Sequence, residues 1–382
     1  MSRSPVVPIA LACMRAMALV LVVVGWALPA RGQTSPPKSG RELFEQSCAS
    51  CHGIDGRGAP STLVGFDVPL PDFTDCKFAS REPRVDWLAV AHRGGPARAF
   101  DETMPSFEEA LSDAELVRIV DHMKSSFCTE KRWPQGEMNL PRPQVTSKAF
   151  PEDEAVLAGV VALEGRTDVS GKFIYGKRFG ARYQFEASLP FGFRETAPEE
   201  SGLGNWAEGA GDIGMGVKRV VFHSAGSGTI VSLATEVFLP TGDTTDGYGR
   251  GTWMVEPFLS AGQVIGVGGF VQFQGGFELP VDTALAEREA LWRFALGRTF
   301  RPHPWGRMWT PMVEFAAARA LEPNARTSWD YIPQLHVALS RRKHVQGNVG
   351  VRIPMTDIDE RPTELMLFVL WDWYDGTLFE GW

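Results

Sequence analysis

The chain has 382 residues, 44% of them hydrophobic and 22% charged, with a formal net charge of −8. That length holds more than one small module, and the balance of apolar to charged residues is that of folded protein, which excludes wholesale disorder. The negative charge, with no basic cluster to offset it, excludes a nucleic-acid-binding surface.

Taken in chain order, the first element is an export signal over residues 1–32. Arg3 and Arg15 supply positive charge, Ala16 to Leu28 (AMALVLVVVGWAL) an apolar run, and Ala30 to Gly32 small residues suited to cleavage. The run is short for a membrane-spanning helix, which needs about 20 apolar residues. An uncleaved anchor is the alternative; a lipoprotein site at Cys13 fits less well, because the main apolar run follows that cysteine. Export places the mature chain in an oxidising compartment.

Removal of the signal leaves Cys48, Cys51, Cys76 and Cys128. Cys48 and Cys51, with His52 directly after them, have the C-x-x-C-H spacing of c-type haem attachment, in which two thiols form thioethers and the histidine ligates iron. A zinc site would need a second ligand pair at matching spacing, and a redox dithiol a βαβ context; the sequence offers neither. The segment from Ser39 reads as a helix entered after Gly40, with Leu43 and Phe44 one turn ahead of Cys48, left through the glycine-rich IDGRGAP loop. Met104, in TMPSF, is a candidate distal ligand, its loop stiffened by the following proline. Ser112 and Glu115 form a capping box for a helix whose Leu116, Ile119, Val120, Met123 and Phe127 share one face, and Phe44 and Phe127 are its expected contact with the first helix.

These residues resemble the class I cytochrome c family in the pattern G-x-x-x-F, C-x-x-C-H-G, M-P-x-F, over Gly40 to Phe127. The resemblance implies a small all-α cytochrome c domain (33–130) carrying one covalent haem c, with His52 and Met104 as axial ligands. It further implies that the Pro60 carbonyl orients His52 by accepting its ring N–H. His92 competes with Met104 for the distal position; Met123 falls on the apolar face as a core residue, and His122 beside it is expected to face solvent. Cys76 and Cys128 remain as a disulfide candidate, the alternative being two separate buried thiols. His/Met ligation fills both axial positions, which favours an electron carrier over a peroxidase or other enzyme. A periplasmic redox donor or acceptor protein is the partner the resemblance implies.

The proline-rich, charged run 131–155 reads as a linker. From 156 to 382 helical periodicity gives way to alternation. Val231, Leu233, Val237 and Leu239 oppose Ser232, Ala234 and Glu236; Trp292, Phe294 and Leu296 oppose Arg293 and Thr299; Tyr331, Leu335, Val337 and Leu339 oppose Gln334, His336 and Ser340. Segments of this length and spacing predict an all-β antiparallel barrel of about 10–12 strands. Trp253, Trp292, Trp305, Trp309, Trp329, Trp371, Trp373 and Trp382 recur near segment ends, as an interfacial girdle requires. Arg219, Glu236, Arg293 and Glu314 fall on the polar side and are expected to line the lumen. The stretch LPTGDTTDGYGRG resembles a loop of outer-membrane channel-like proteins linked to aromatic-compound degradation. Asp375 and Gly376 interrupt the final segment, and alternation is equally compatible with a soluble β domain.

Two functions follow. One is an exported mono-haem cytochrome performing electron transfer, anchored in the outer membrane by its barrel. The other is an outer-membrane channel whose haem domain plugs or gates the barrel.

Overall fold

The computed structural model describes residues 36–165, 168–195, 206–245, 247–301 and 307–382. The signal segment 1–32 and Trp305 lie outside them. From Ser39 onward the chain forms one compact unit.

Its first part is helical: α1 (Gly40–Ser47), α2 (Ala49–His52), α3 (Ser61–Val64), α4 (Cys76–Ala79), α5 (Arg84–Arg93) and α6 (Asp113–Ser126). Two capping boxes set the start of the outer pair. Ser39 N–H donates to Glu42 at 2.7 Å and Ser112 N–H to Glu115 at 2.9 Å, each glutamate satisfying a backbone donor that a helix N-terminus leaves open. Helices α1 and α6 approach closely at Gly40, where a Cβ would overlap the Arg118 carbonyl and meet His122 Cβ at 3.0 Å. Leu43, Phe44, Ile119 and Met123 are buried together with Phe73, and Phe44 meets Phe127 edge-on with ring centroids 5.2 Å apart. His122 packs its ring on Phe44 and Phe127 at 5.9 and 5.7 Å, so it is half-buried rather than solvent-facing. Cys76 and Cys128 are joined in a disulfide that ties α4 to the end of α6, their Cα atoms 5.1 Å apart.

The second part is one sheet: β1 (Glu154–Ala162), β2 (Asp168–Phe179), β3 (Tyr183–Glu195), β4 (Trp206–Ala210), β5 (Gly214–Ser224), β6 (Thr229–Phe238), β7 (Met254–Ile265), β8 (Gly269–Pro280), β9 (Glu289–Arg298), β10 (Trp309–Ala320), β11 (Thr327–Ala338), β12 (Val345–Pro354) and β13 (Glu364–Asp372). Each pairs antiparallel with its chain neighbours; β4 and β5 take the two ends of β3 and so share one place, and β1 pairs with β13. The result is a closed twelve-stranded barrel. Closure matters because an open sheet leaves a row of unpaired backbone groups at each edge. The last strand stops at Asp372, before the Asp375–Gly376 interruption, and the remaining residues return over the rim, where Gly381 O accepts from Arg341 N at 2.8 Å.

The wall is inverted relative to a soluble barrel. Leu233, Phe294, Leu296, Leu367 and Val369 point outward and are exposed, whereas Ser232, Ser260, Glu314 and His336 point inward at 0% exposure. Short turns (180–182, 225–228, 266–268, 339–344) join strands at one end, 299–308 being the exception; longer loops such as 239–253 and 355–363 lie at the other. Trp253, Trp292 and Trp329 fall at the long-loop end, Trp309, Trp371 and Trp373 at the short-turn end, and Trp292 meets Trp329 edge-on at 5.9 Å. Glu236, Arg293 and Glu314 face the lumen as the alternation requires, but Arg219 points outward and Lys218 takes the lumenal place. The inward-facing Val220, wholly buried, is the reason: it is an apolar residue on the polar side, and it makes its neighbour Arg219 look lumenal.

The run 131–155 does more than link the two parts. It enters the barrel from the short-turn end, reaches its deepest point near Gln144 to Ser147, and comes back out to begin β1. The helical part is fixed at that same end. Arg81 pairs with the buried Asp153 and stacks 3.5 Å above the Tyr374 ring; Asp86 is held by Arg98 at 3.0 Å and by Lys343; Arg342 donates to Ala99 O at 2.6 Å.

The disulfide closes a sequence separation of 52 residues. On loop-entropy grounds, changing Cys76 and Cys128 together to Ser lowers stability of the helical part by about 4 kcal/mol. Thermal denaturation followed by far-UV circular dichroism should show this under oxidising conditions, with wild type and variant converging once reduced.

Candidate functional site

Cys48, Cys51 and His52 occupy one helical turn at the junction of α1 and α2. The Cys48 carbonyl accepts from Cys51 N at 3.2 Å and from His52 N at 2.9 Å, so the two thiols and the imidazole are carried by one hydrogen-bonded unit. The turn lies on the apolar cluster formed by Leu43, Phe44, Phe73, Ile119 and Met123, against which Cys48, Ala49, Phe78, Trp87, Leu111 and Phe127 also pack. The His52 ring sits 5.0 Å from that of Phe73, which continues into Trp87 at 5.1 Å. An aromatic shelf therefore flanks the imidazole. Phe73, Phe78 and Trp87 were not singled out from the sequence, although the aromatic spacing of PDFTDCKF and VDW was the available signal.

Burial controls the chemistry here. It pushes the Cys48 thiol up to about 11, the neighbouring Cys51 adding to the effect, and it lowers the His52 imidazole. Both thiols are free, and His52 Nδ1 is buried without a hydrogen-bond partner. Two free thiols and a buried imidazole on an apolar floor suit a flat, apolar ring with a metal at its centre. The residues fit haem c.

Gly56 lets the loop after α2 fold back. Its φ is +77°, and a Cβ there would lie 2.8 Å from the Phe127 ring. Pro60 stands exposed at the start of α3, where its carbonyl accepts from Leu63 N at 2.8 Å and Val64 N at 3.3 Å. The expected bond from His52 to Pro60 is not made, because that carbonyl is turned into the short helix. Met104 is half-buried in the loop between α5 and α6, its carbonyl accepting from Gly95 N at 2.9 Å. Among the described residues it is not one of those packed on the apolar cluster, whereas Met123 is part of that cluster. His92 lies between the Glu108 and Asp113 carboxylates, Nδ1 at 3.4 Å from the first and Nε2 at 3.1 Å from the second.

Residues 35–123 match the family model described as Cytochrome C oxidase, cbb3-type, subunit III, a c-type cytochrome domain. No curated protein matches the chain. Among solved structures it is similar to an outer membrane channel from Pseudomonas putida F1 (11% identity, TM-score 0.42, covering 61% of this chain and 99% of that one). It is also similar to the KdgM porin (8%, 0.38, 57% and 98%) and the NanC porin (5%, 0.40, 56% and 97%). The chain thus joins a c-type cytochrome domain to a closed antiparallel barrel, the latter established by its own strand pairing.

Gly56→Ala combines a left-handed backbone cost with overpacking against Phe127, and the expected loss is about 2 kcal/mol or more. A lowered urea midpoint of the helical signal is the readout; an unchanged midpoint would mean that the loop and Phe127 do not touch.

Proposed function

We propose that this chain is an exported mono-haem electron carrier held at the outer membrane by its barrel. Haem c is attached through Cys48 and Cys51, with His52 as proximal and Met104 as distal ligand. The observation that carries the reading is the single helical turn presenting two free thiols and a buried, unpartnered imidazole on an apolar floor. When bound, the haem supplies reversible one-electron exchange. The protein's part would be to hold it: Cys48 and Cys51 would keep it from diffusing away, the Phe73–Trp87 shelf would exclude water from one side, and Met104 would supply, with His52, a thioether that raises the potential and leaves no coordination position open. That closure is what makes the chain a carrier and not a peroxidase.

The inverted wall supports membrane insertion. A barrel with leucine and phenylalanine outside and glutamate, glutamine and histidine inside would aggregate in water but is matched to lipid. Short turns face the periplasm in such barrels. The helical domain is fixed at the short-turn end, so its electrons pass to or from a periplasmic redox protein. The filled lumen favours this anchor reading over that of a standing channel.

Purified protein, co-produced with haem-attachment machinery, should give a c-type reduced-minus-oxidised spectrum, and its pigment should stay with the polypeptide in acidic acetone. Cys48→Ser with Cys51→Ser should release that pigment. Met104→Ala should abolish the sulfur–iron charge-transfer band of the oxidised form while His92→Ala preserves it; the reverse result makes His92 the ligand.

Membrane insertion is checked separately. Leu233→Arg places a charge at mid-height on the outer wall, at a cost of about 2–4 kcal/mol. Folding into lipid vesicles, followed by heat-modifiable gel mobility, should be impaired. Equal folding of variant and wild type would argue that this face does not meet lipid.

A further inference from the structure

We propose that the barrel is a conduit for ions and small hydrophilic solutes, held shut by the chain's own segment 138–153, with Glu314 as the latch. This rests on the reading of the outer wall as lipid-facing. The segment is bonded around almost the whole lumen. Glu314, on β10, is fully buried and accepts from Gln144 N at 2.8 Å, Val145 N at 3.2 Å and Thr146 N at 2.8 Å. Gln334 of β11 donates to the same carboxylate at 2.6 Å. Ser147 N donates to Gln274 of β8 at 2.8 Å, and Arg293 of β9 donates to Val145 O at 2.9 Å. Across the lumen, Lys218 of β5 donates to Lys148 O at 2.9 Å and Ser232 of β6 to Ala149 O at 2.6 Å.

Two features make this a closure and not a core. The deep contacts are hydrogen bonds between a polar segment and a polar wall, so water can take their place on release at small net cost. The described apolar clusters that include the segment lie on the mouth side, where Leu140 meets Phe270 and Met312, and Met138 and Phe150 meet Val220 and Ile230. Glu314 is distinctive because three successive backbone N–H groups of the plug, Gln144, Val145 and Thr146, converge on its one carboxylate. Space remains on both sides of the segment. A cavity of about 10 Å³, room for a single water, lies beside Ser147, bounded by Gln184, Glu186, Lys218 and Glu236, and one of about 90 Å³ lies at the mouth beneath Glu82 and Asp86. Withdrawal would join these spaces to the long-loop end.

The test is single-channel recording of the full-length protein in planar bilayers with potassium chloride on both sides. Wild type should be shut for most of the record. Glu314→Gln leaves one acceptor oxygen where three plug N–H groups were held, and the open-time fraction should rise about ten- to hundredfold. Should that variant fail to fold, Val145→Pro with Thr146→Pro removes two donors from the plug and leaves the wall intact, with the same rise expected. Inserted variants that stay as silent as wild type overturn the proposal, as does a wild type that conducts as continuously as they do. Wild type that never inserts, judged by heat-modifiable mobility, overturns the lipid-facing reading and this proposal with it, while leaving the haem reading standing.

Discussion

Nine residues of β1 lie in register with nine of β13, from Glu154 opposite Asp372 to Ala162 opposite Glu364. This pairing is the constraint on which the remainder rests. It turns a sheet with two open edges into a ring with none, and only a ring can place its backbone in lipid with every donor and acceptor matched. It also brings the start of the first strand and the end of the last to one rim. Asp153 and Tyr374 flank those strand ends, and both receive Arg81 from the helical domain. Where the sheet closes therefore decides where the cytochrome domain docks and where the tether enters.

The two halves solve opposite solvation problems. In the helical domain an apolar cluster is packed inside, with Cys48, Cys51 and His52 carried on a single hydrogen-bonded turn above it, so that small movements of the domain leave their relative placement unchanged. In the barrel the apolar groups lie outside, and the interior must be filled with something that satisfies Glu314, Gln272, Gln274 and Asn348. Backbone is well suited to that role, since each residue brings one donor and one acceptor. The Gln272 and Asn348 side chains donate to Pro141 O and Arg142 O, at 2.8 and 3.4 Å.

Much of this was legible in the sequence, for reasons that are local. The spacing of Cys48, Cys51 and His52, both capping boxes and the alternation of the strands are short-range patterns, and each maps directly onto its element. What escaped depends on distant partners. Alternation at Ser232 and Leu233 says that the faces differ but not which is inside; that is settled by the buried Glu314 and His336. Residues 131–155 carry the prolines and charges of a solvated linker, and the same polarity is what a polar lumen selects. Arg219 was misplaced because an inward valine beside it breaks the pattern. The carboxylates around His92 come from the loop and helix that follow it, and the carbonyl of Pro60 is claimed by its own helix; neither is visible from the motif.

The tether meets Gln272 near the rim, Glu314 and Gln274 about five residues in, and Gln184 near the rim again. It is thus a hairpin that goes in and out through one opening, never passing from one side of the ring to the other. No end of the polypeptide has to be threaded, and the hoop of strands can be completed around bulk water before its filling arrives. Assembly of the cylinder and insertion of its stopper are topologically independent events, in either order.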